Sequence, residues 1–75
     1  MQELLKILNT IKPGVDFTSS NNLIDDGILD SMDLVRLVGE LSDEFDIEIE
    51  VTDLVPENFN SVESIMNMIN RLEDE

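Results

Sequence analysis

Three segments of the chain carry apolar residues three and four positions apart, the spacing that places them on one face of a helix. The first segment runs from Gln2 to Ile11, the second from Ser31 to about Phe45, and the third begins at Asn60. With 75 residues the chain holds one domain at most, residues 1–75. The pattern therefore predicts a small all-α bundle of three or four helices.

The second predicted helix has the most complete apolar face, and two further apolar residues lie off it. Met32 and Val35 fall among charged side chains, where a helix with a complete core face has no packing need for them. They are either scattered exposed apolar residues, which are common, or part of a docking surface. The apolar face itself comprises Leu34, Leu37, Val38, Leu41 and Phe45.

The two outer helices have clear ends. Lys12-Pro13-Gly14 stops the first helix, since proline and glycine together mark a turn. Asn60 is expected to cap the last helix, with Glu63 three residues on as the partner of a capping box. The two buried faces are predicted to be Leu4, Ile7, Leu8 and Ile11, and Val62, Ile65, Met66, Ile69 and Leu72.

Two connections separate the helices. Residues 15–29 form a long loop whose apolar side chains need cover, so we expect it to fold onto the core with a short turn at residues 22–24. Ile47, Ile49 and Val51 alternate with acidic residues, which suggests a strand, but no second alternating run exists to pair with it. We expect an extended loop with its isoleucines under the bundle, followed by one helical turn at residues 52–55.

The composition excludes several classes of function. The chain has 18 acidic and 4 basic residues, a net charge of −14, and neither cysteine nor histidine. Disulfides, zinc fingers and nearly all zinc chemistry are therefore excluded, and the charge repels nucleic acid and anionic membranes. Acidity could also serve solubility alone. No apolar run approaches the ~20 residues of a membrane span, and no signal peptide is recognisable at the N-terminus, so we expect a cytoplasmic protein.

Ser31 stands at the start of the second predicted helix. With Asp30 as the N-cap, the aspartate carboxylate can accept a hydrogen bond from the backbone N–H of residue 32 or 33. The serine hydroxyl then projects from the positive end of the helix, where a phosphodiester would be stabilised. Gly27 allows the incoming chain to bend tightly. Asp30 and Ser31 could equally be a plain helix cap.

Catalytic and metal-binding interpretations of this region fail. A hydrolase built on Ser31 would need a base, and no histidine exists. A calcium loop aligned on Gly27 would place Ile24 and Asp33 where an oxygen ligand and a glutamate are required. We therefore expect neither a catalytic residue nor a metal site.

The segment from Leu23 to Val38 resembles the phosphopantetheine attachment site of acyl and peptidyl carrier proteins, and the resemblance extends over nearly the whole chain. It implies an acyl-carrier-type four-helix bundle, with three main helices, one short helix and a long loop between the first two. It also implies that 4'-phosphopantetheine is attached to Ser31 and holds an acyl or aminoacyl group as a thioester. The chain would then not be an enzyme.

The spacing of residues around Ser31 indicates a particular subtype of carrier protein. Two residues separate Gly27 from Asp30, and Met32 follows the serine, a pattern similar to the D-alanyl carrier proteins of cell-wall teichoic acid modification. The alternatives are a carrier for fatty-acid, polyketide or other biosynthesis, and a helical interaction module without a prosthetic group.

The resemblance also implies partners. These are a phosphopantetheinyl transferase, an adenylating ligase or acyltransferase, and a downstream acyl-accepting enzyme. We expect the chain itself to be a monomer that neither binds nucleic acid nor inserts into a membrane. Arg36 departs from an otherwise acidic face and could select a particular partner. The residues expected to contact partners are Asp30, Met32, Val35 and Arg36, and those expected to steer basic surfaces are Asp33, Glu40 and Asp43.

Overall fold

A computed structural model describes residues 2–19 and 21–74, so Met1, Ser20 and Glu75 lie outside the described residues. The described residues form four α-helices, α1 (Gln2–Ile11), α2 (Ser31–Phe45), α3 (Pro56–Phe59) and α4 (Val62–Glu73). Two single 3₁₀ turns lie in the connections, at Phe17–Ser19 and Val51–Asp53, and no strand occurs within the described ranges. The predicted all-α fold with three main helices and one short helix is confirmed.

The core lies between α1, α2 and α4, with α1 packed against both of the others and α3 packed against α4. Leu34, Val38 and Phe45 of the predicted α2 face are only half-buried at its margin. Each fully buried aliphatic or aromatic side chain contributes about 1.5–3 kcal/mol, so this core supplies the stability that disulfides cannot. The fully buried side chains are Leu4, Leu8, Leu23, Leu29, Leu37, Leu41, Phe59, Ile65, Met68 and Ile69.

The long loop between α1 and α2 is packed onto the core, as the sequence predicts. The loop buries its own side chains of Phe17, Leu23 and Leu29. The turn is wider than residues 22–24, because the N–H of Asp26 donates to the carbonyl of Asn22 at 2.7 Å and the N–H of Gly27 donates to that of Ile24 at 3.0 Å. Gly27 closes this turn with φ at 75°, a value that favours glycine, so the expected tight bend is confirmed.

The connection between α2 and α3 is an extended loop, which confirms that interpretation over a strand. Ile47 is buried and Ile49 half-buried beneath the bundle, whereas Val51 points outward with 83% of its surface exposed. The helical turn expected at residues 52–55 begins one residue earlier, as the 3₁₀ turn at Val51–Asp53. The one short helix that the resemblance implies is α3, for which the sequence pattern gives no position; it begins with Pro56, whose fixed φ suits a first helical position.

The prediction that Asn60 caps the last helix with Glu63 is wrong by one residue. Ser61 is the N-cap of α4, and its hydroxyl oxygen accepts a hydrogen bond from the N–H of Ser64 at 3.0 Å. Asn60 is occupied elsewhere, since its side-chain oxygen accepts hydrogen bonds from the N–H groups of Ile24 and Asp25. The cap therefore moves to the next residue that can supply an acceptor.

Candidate functional site at the start of helix α2

The start of α2 is closed by two aspartates that cap each other. Asp30 is the N-cap, as predicted, and its Oδ1 accepts a hydrogen bond from the N–H of Asp33 at 2.9 Å. In return, Oδ2 of Asp33 accepts one from the N–H of Asp30 at 3.3 Å. This reciprocal arrangement satisfies two backbone N–H groups at once and fixes the position at which the helix begins.

Asp33 lies inside this cap and not on the open acidic face. Only 9% of its surface is exposed, and its Oδ2 lies 3.2 Å from Nζ of Lys12, the residue that follows α1. Burial raises the pKa of Asp33, but hydrogen bonds from the Asp30 backbone and Lys12, with the Lys12 charge, outweigh it and hold the pKa below its ordinary value. Asp33 is therefore ionised at neutral pH, and its carboxylate ties α2 to the end of α1.

Ser31 is the first residue of α2 and is exposed. None of the hydrogen bonds within the described residues uses its hydroxyl, whereas the hydroxyls of Ser19 and Ser61 are both bonded. The free N–H groups of the first helical turn give this end of α2 a partial positive charge. The structure thus presents an accessible hydroxyl that no described residue engages, beside the free N–H groups of the helix start.

An open, almost wholly apolar groove of about 300 Å³ begins at Ser31. One wall is α2, and the other is Leu54, which follows the 3₁₀ turn before α3. Leu54 is a site residue that the sequence did not predict; the signal in the sequence is the group of apolar residues Val51, Leu54 and Val55 directly before Pro56, and all three are exposed in the structure. The groove is lined by Ser31, Leu34, Val35, Val38 and Leu54.

The outer face of α2 remains uncovered, as predicted from its spacing. Met32 and Val35 are 71% and 70% exposed, so neither belongs to the core. Arg36 is exposed and forms no ion pair with any described residue. Glu40 and Asp43 are exposed further along the helix, whereas Asp30 is exposed at its start. An apolar pair and a cation that pairs with none of the described residues therefore lie together within an acidic surface.

The described residues contain no group of three or more acidic side chains placed to hold a metal ion. None of the helices in the described ranges is long and apolar enough to span a membrane.

Comparisons with known proteins define the class. The family model described as phosphopantetheine attachment site matches residues 1–69, and the chain belongs to this family of carrier proteins. As a member, it bears covalently attached 4'-phosphopantetheine and holds its cargo as a thioester. The exposed, unengaged hydroxyl of Ser31 at a helix N-terminus, with an apolar groove beside it, fits such a group.

The individual relatives similar to this chain are carrier proteins by name. The chain is 34% identical over 71 residues to the D-alanyl carrier protein of Streptococcus mutans, and the match covers 93% of this chain and 90% of that protein. It is 32% identical over 76 residues to the D-alanyl carrier protein of Lactobacillus acidophilus, covering 99% and 95%. It is 43% identical over 54 residues to aminoacyl carrier protein 1 of Bradyrhizobium diazoefficiens; this match covers 72% of the chain but only 59% of that relative. No solved structure matches the chain.

Proposed function

We propose that Ser31 is the attachment point of the arm and that the chain carries D-alanine to an acceptor for cell-wall teichoic acid modification. The observation that supports Ser31 is its exposed hydroxyl, free of hydrogen bonds to the described residues, at the capped start of α2. The cargo is supported by the two D-alanyl carrier proteins that are similar to this chain along nearly their whole length.

Attachment forms one bond and breaks another. Oγ of Ser31 bonds to the phosphorus that carries the pantetheine, and the bond from this phosphorus to the nucleotide half of coenzyme A breaks. The serine proton must leave, and the chain has no histidine to take it. The transferase therefore supplies the base, while Asp30 and Asp33 hold the helix start in place through their reciprocal cap. On this proposal the chain presents a nucleophile and catalyses nothing itself.

The partners that this function requires are a phosphopantetheinyl transferase, an adenylating ligase that loads the thiol, and an enzyme that takes the acyl group off. We propose that Met32 and Val35 form the apolar centre of their contact and that Arg36 pairs with an acidic residue of the ligase. Asp30, Glu40 and Asp43 draw basic surfaces toward this face. Because coenzyme A and ATP supply the arm and the loading energy, the cytoplasm is the proposed location.

A charging assay tests attachment and cargo together. The chain is incubated with coenzyme A, a broad-specificity phosphopantetheinyl transferase, ATP, D-alanine and a D-alanine-activating ligase, and its intact mass is measured. We expect two successive additions, first of phosphopantetheine and then of an alanyl group. Hydroxylamine should remove only the second addition, because only the second is a thioester.

The control variants separate the two parts of the proposal. Ser31→Ala should gain neither addition, whereas Ser19→Ala, which alters another exposed serine, should gain both. A first addition without the second, together with loading by glycine, L-alanine or an acyl-coenzyme A and its transferase, would refute D-alanine as the cargo and favour another aminoacyl or acyl carrier. Absence of both additions from the unaltered chain would favour a helical interaction module.

A further inference from the structure

Asn60 is the point at which the loop that leads to Ser31 is fastened to the rest of the protein. It lies between α3 and α4, yet all its hydrogen bonds to the loop reach residues 35 or more positions away. Oδ1 of Asn60 accepts from the N–H of Ile24 at 3.0 Å and from that of Asp25 at 3.3 Å. Its Nδ2 donates to Oδ2 of Asp25 at 3.4 Å.

The backbone of Asn60 holds the same segment. Its carbonyl accepts a hydrogen bond from the N–H of Leu23 at 2.8 Å, and the carbonyl of Leu23 in turn accepts from the N–H of Leu29 at 2.9 Å. Leu29 is buried and directly precedes the cap residue Asp30. A continuous path of hydrogen bonds and packing therefore leads from Asn60 through Leu23 and Leu29 to the residue before Ser31.

The position of Asn60 also relates to the second wall of the groove. Leu54 belongs to the segment that continues through α3 to Phe59, which is fully buried, and Phe59 directly precedes Asn60. Asn60 thus joins the loop that carries the attachment serine to the segment that carries Leu54. A side chain used only to cap α4 would make none of these contacts, and Ser61 already performs that task.

We propose that Asn60 is a positioning residue for the modification of Ser31, which orients the serine by clamping residues 23–25 of the loop. This inference rests on attachment at Ser31 as proposed above. The clamp sets the orientation of the nucleophile, whereas Met32 and Val35 contribute to docking of the transferase. Loss of the clamp should therefore lower the kcat of transfer, and loss of the docking surface should raise its KM.

Asn60→Ala tests the clamp on the unmodified protein. Amide hydrogen exchange of Ile24 and Asp25 should accelerate by about 30-fold, the effect of two lost hydrogen bonds of ordinary net strength. The amide of Leu23 should keep its slower exchange, because it donates to the backbone carbonyl of Asn60, which alanine retains. Unchanged exchange of Ile24 and Asp25 would overturn the proposal.

Transfer kinetics test the positioning role. With a broad-specificity phosphopantetheinyl transferase, Asn60→Ala should lower kcat by about tenfold at nearly unchanged KM, within the range that a displacement of under 1 Å costs a positioned nucleophile. Val35→Asp should instead raise KM. The matched control is Asn58→Ala, which loses the hydrogen bond from Nδ2 of Asn58 to the carbonyl of Asp53 and leaves the loop untouched. The proposal would be overturned if kcat were unchanged in Asn60→Ala. It would also be overturned if kcat fell equally in Asn58→Ala while the two variants had the same melting temperature.

A swapped pair of residues tests the same contacts if Asn60→Ala does not fold. Asn60→Asp retains the acceptor for both N–H groups but sets its carboxylate against that of Asp25, so kcat should fall. Adding Asp25→Asn restores an amide opposite a carboxylate, and kcat should recover to within about twofold of the original value. A double variant as slow as Asn60→Asp would contradict the clamp. If the unaltered chain were modified at another residue, the positioning role would fall, and exchange at Ile24 would still report whether the clamp exists.

Discussion

Replacing Lys12 by methionine and Asp33 by asparagine, singly and together, measures the ion pair that joins the end of α1 to the start of α2. Methionine keeps most of the apolar stem of Lys12, and asparagine keeps an oxygen that can accept from the N–H of Asp30. The double-mutant cycle therefore isolates the charge interaction between the two side chains from the shape of the cap.

The expected size follows from distance and exposure. At the 3.2 Å between Nζ of Lys12 and Oδ2 of Asp33, the Coulomb energy is about 1 kcal/mol in bulk water and about 5 kcal/mol at a dielectric constant of 20. The Lys12 side chain is 41% exposed, so solvent screening keeps the pair near the lower limit, where exposed pairs measure about 0.2–1 kcal/mol. We expect a coupling of about 1 kcal/mol at pH 7, which corresponds to about 4–8 °C in melting temperature.

The stabilisation by the Asp33 carboxylate should decrease as the pH falls. The pKa of Asp33 in the folded protein lies below its ordinary value. A carboxyl whose pKa is lowered by folding stabilises the protein above its unfolded pKa and loses that contribution as the pH falls through the folded pKa. The difference in unfolding free energy between the unaltered chain and Asp33→Asn should therefore stay constant above pH 5 and shrink as the pH falls below 4.

Urea unfolding followed by circular dichroism, from pH 7 to the lowest pH at which the chain stays folded, gives the four free energies of the cycle. Lys6→Met is the matched control, since Lys6 lies exposed on α1 and forms no ion pair with the described residues. It should show no coupling to Asp33→Asn. A coupling within about 0.3 kcal/mol of zero at pH 7, or one that does not decrease below pH 4, would show that the ion pair does not stabilise the fold.

Three further changes have defined outcomes in thermal unfolding. Asp46 ends α2 with φ at 53°, a value that favours glycine, so Asp46→Gly should stabilise the fold by about 1 kcal/mol. The gain should exceed that of Asp43→Asn, which changes the charge alone. A melting temperature equal to or lower than that of the unaltered chain would contradict this. Gly27→Ala should destabilise by about 1 kcal/mol through backbone strain alone, since a Cβ there meets no atom within 4 Å; an unchanged melting temperature would show that the turn tolerates side chains. Raising sodium chloride from low to moderate concentration should raise the melting temperature, because 18 acidic residues repel one another and only 4 basic ones offset them. A salt-independent melting temperature would show that this repulsion does not weaken the fold.

The long helices were predictable because their periodicity extends over several turns. The bounds of α1 and α2 and the cap at Asp30 follow from the spacing of apolar residues and from a good capping residue at the expected position. The exposure of Met32 and Val35 follows from the same spacing, since both lie off a face that was already complete. Local sequence therefore sufficed for the helix that carries Ser31.

The rest depends on contacts between distant parts of the chain. The four residues of α3 are too few to show a helical period, and Leu54 becomes part of the groove only because the preceding loop brings it against α2. Asn60 and Ser61 are both good caps, and the choice between them is decided by a loop about 36 positions away. Asp33 looks like a surface acid until Lys12 is placed beside it.

Locating the modification tests the claim that this carrier holds its arm on Ser31. The chain is treated with coenzyme A and a broad-specificity phosphopantetheinyl transferase, digested, and its peptides are sequenced by mass spectrometry. One phosphopantetheine per chain is expected, on Ser31, with none on Ser31→Ala and full modification of Ser19→Ala. Modification of any other residue, or none under conditions that label a known carrier protein, would contradict the claim.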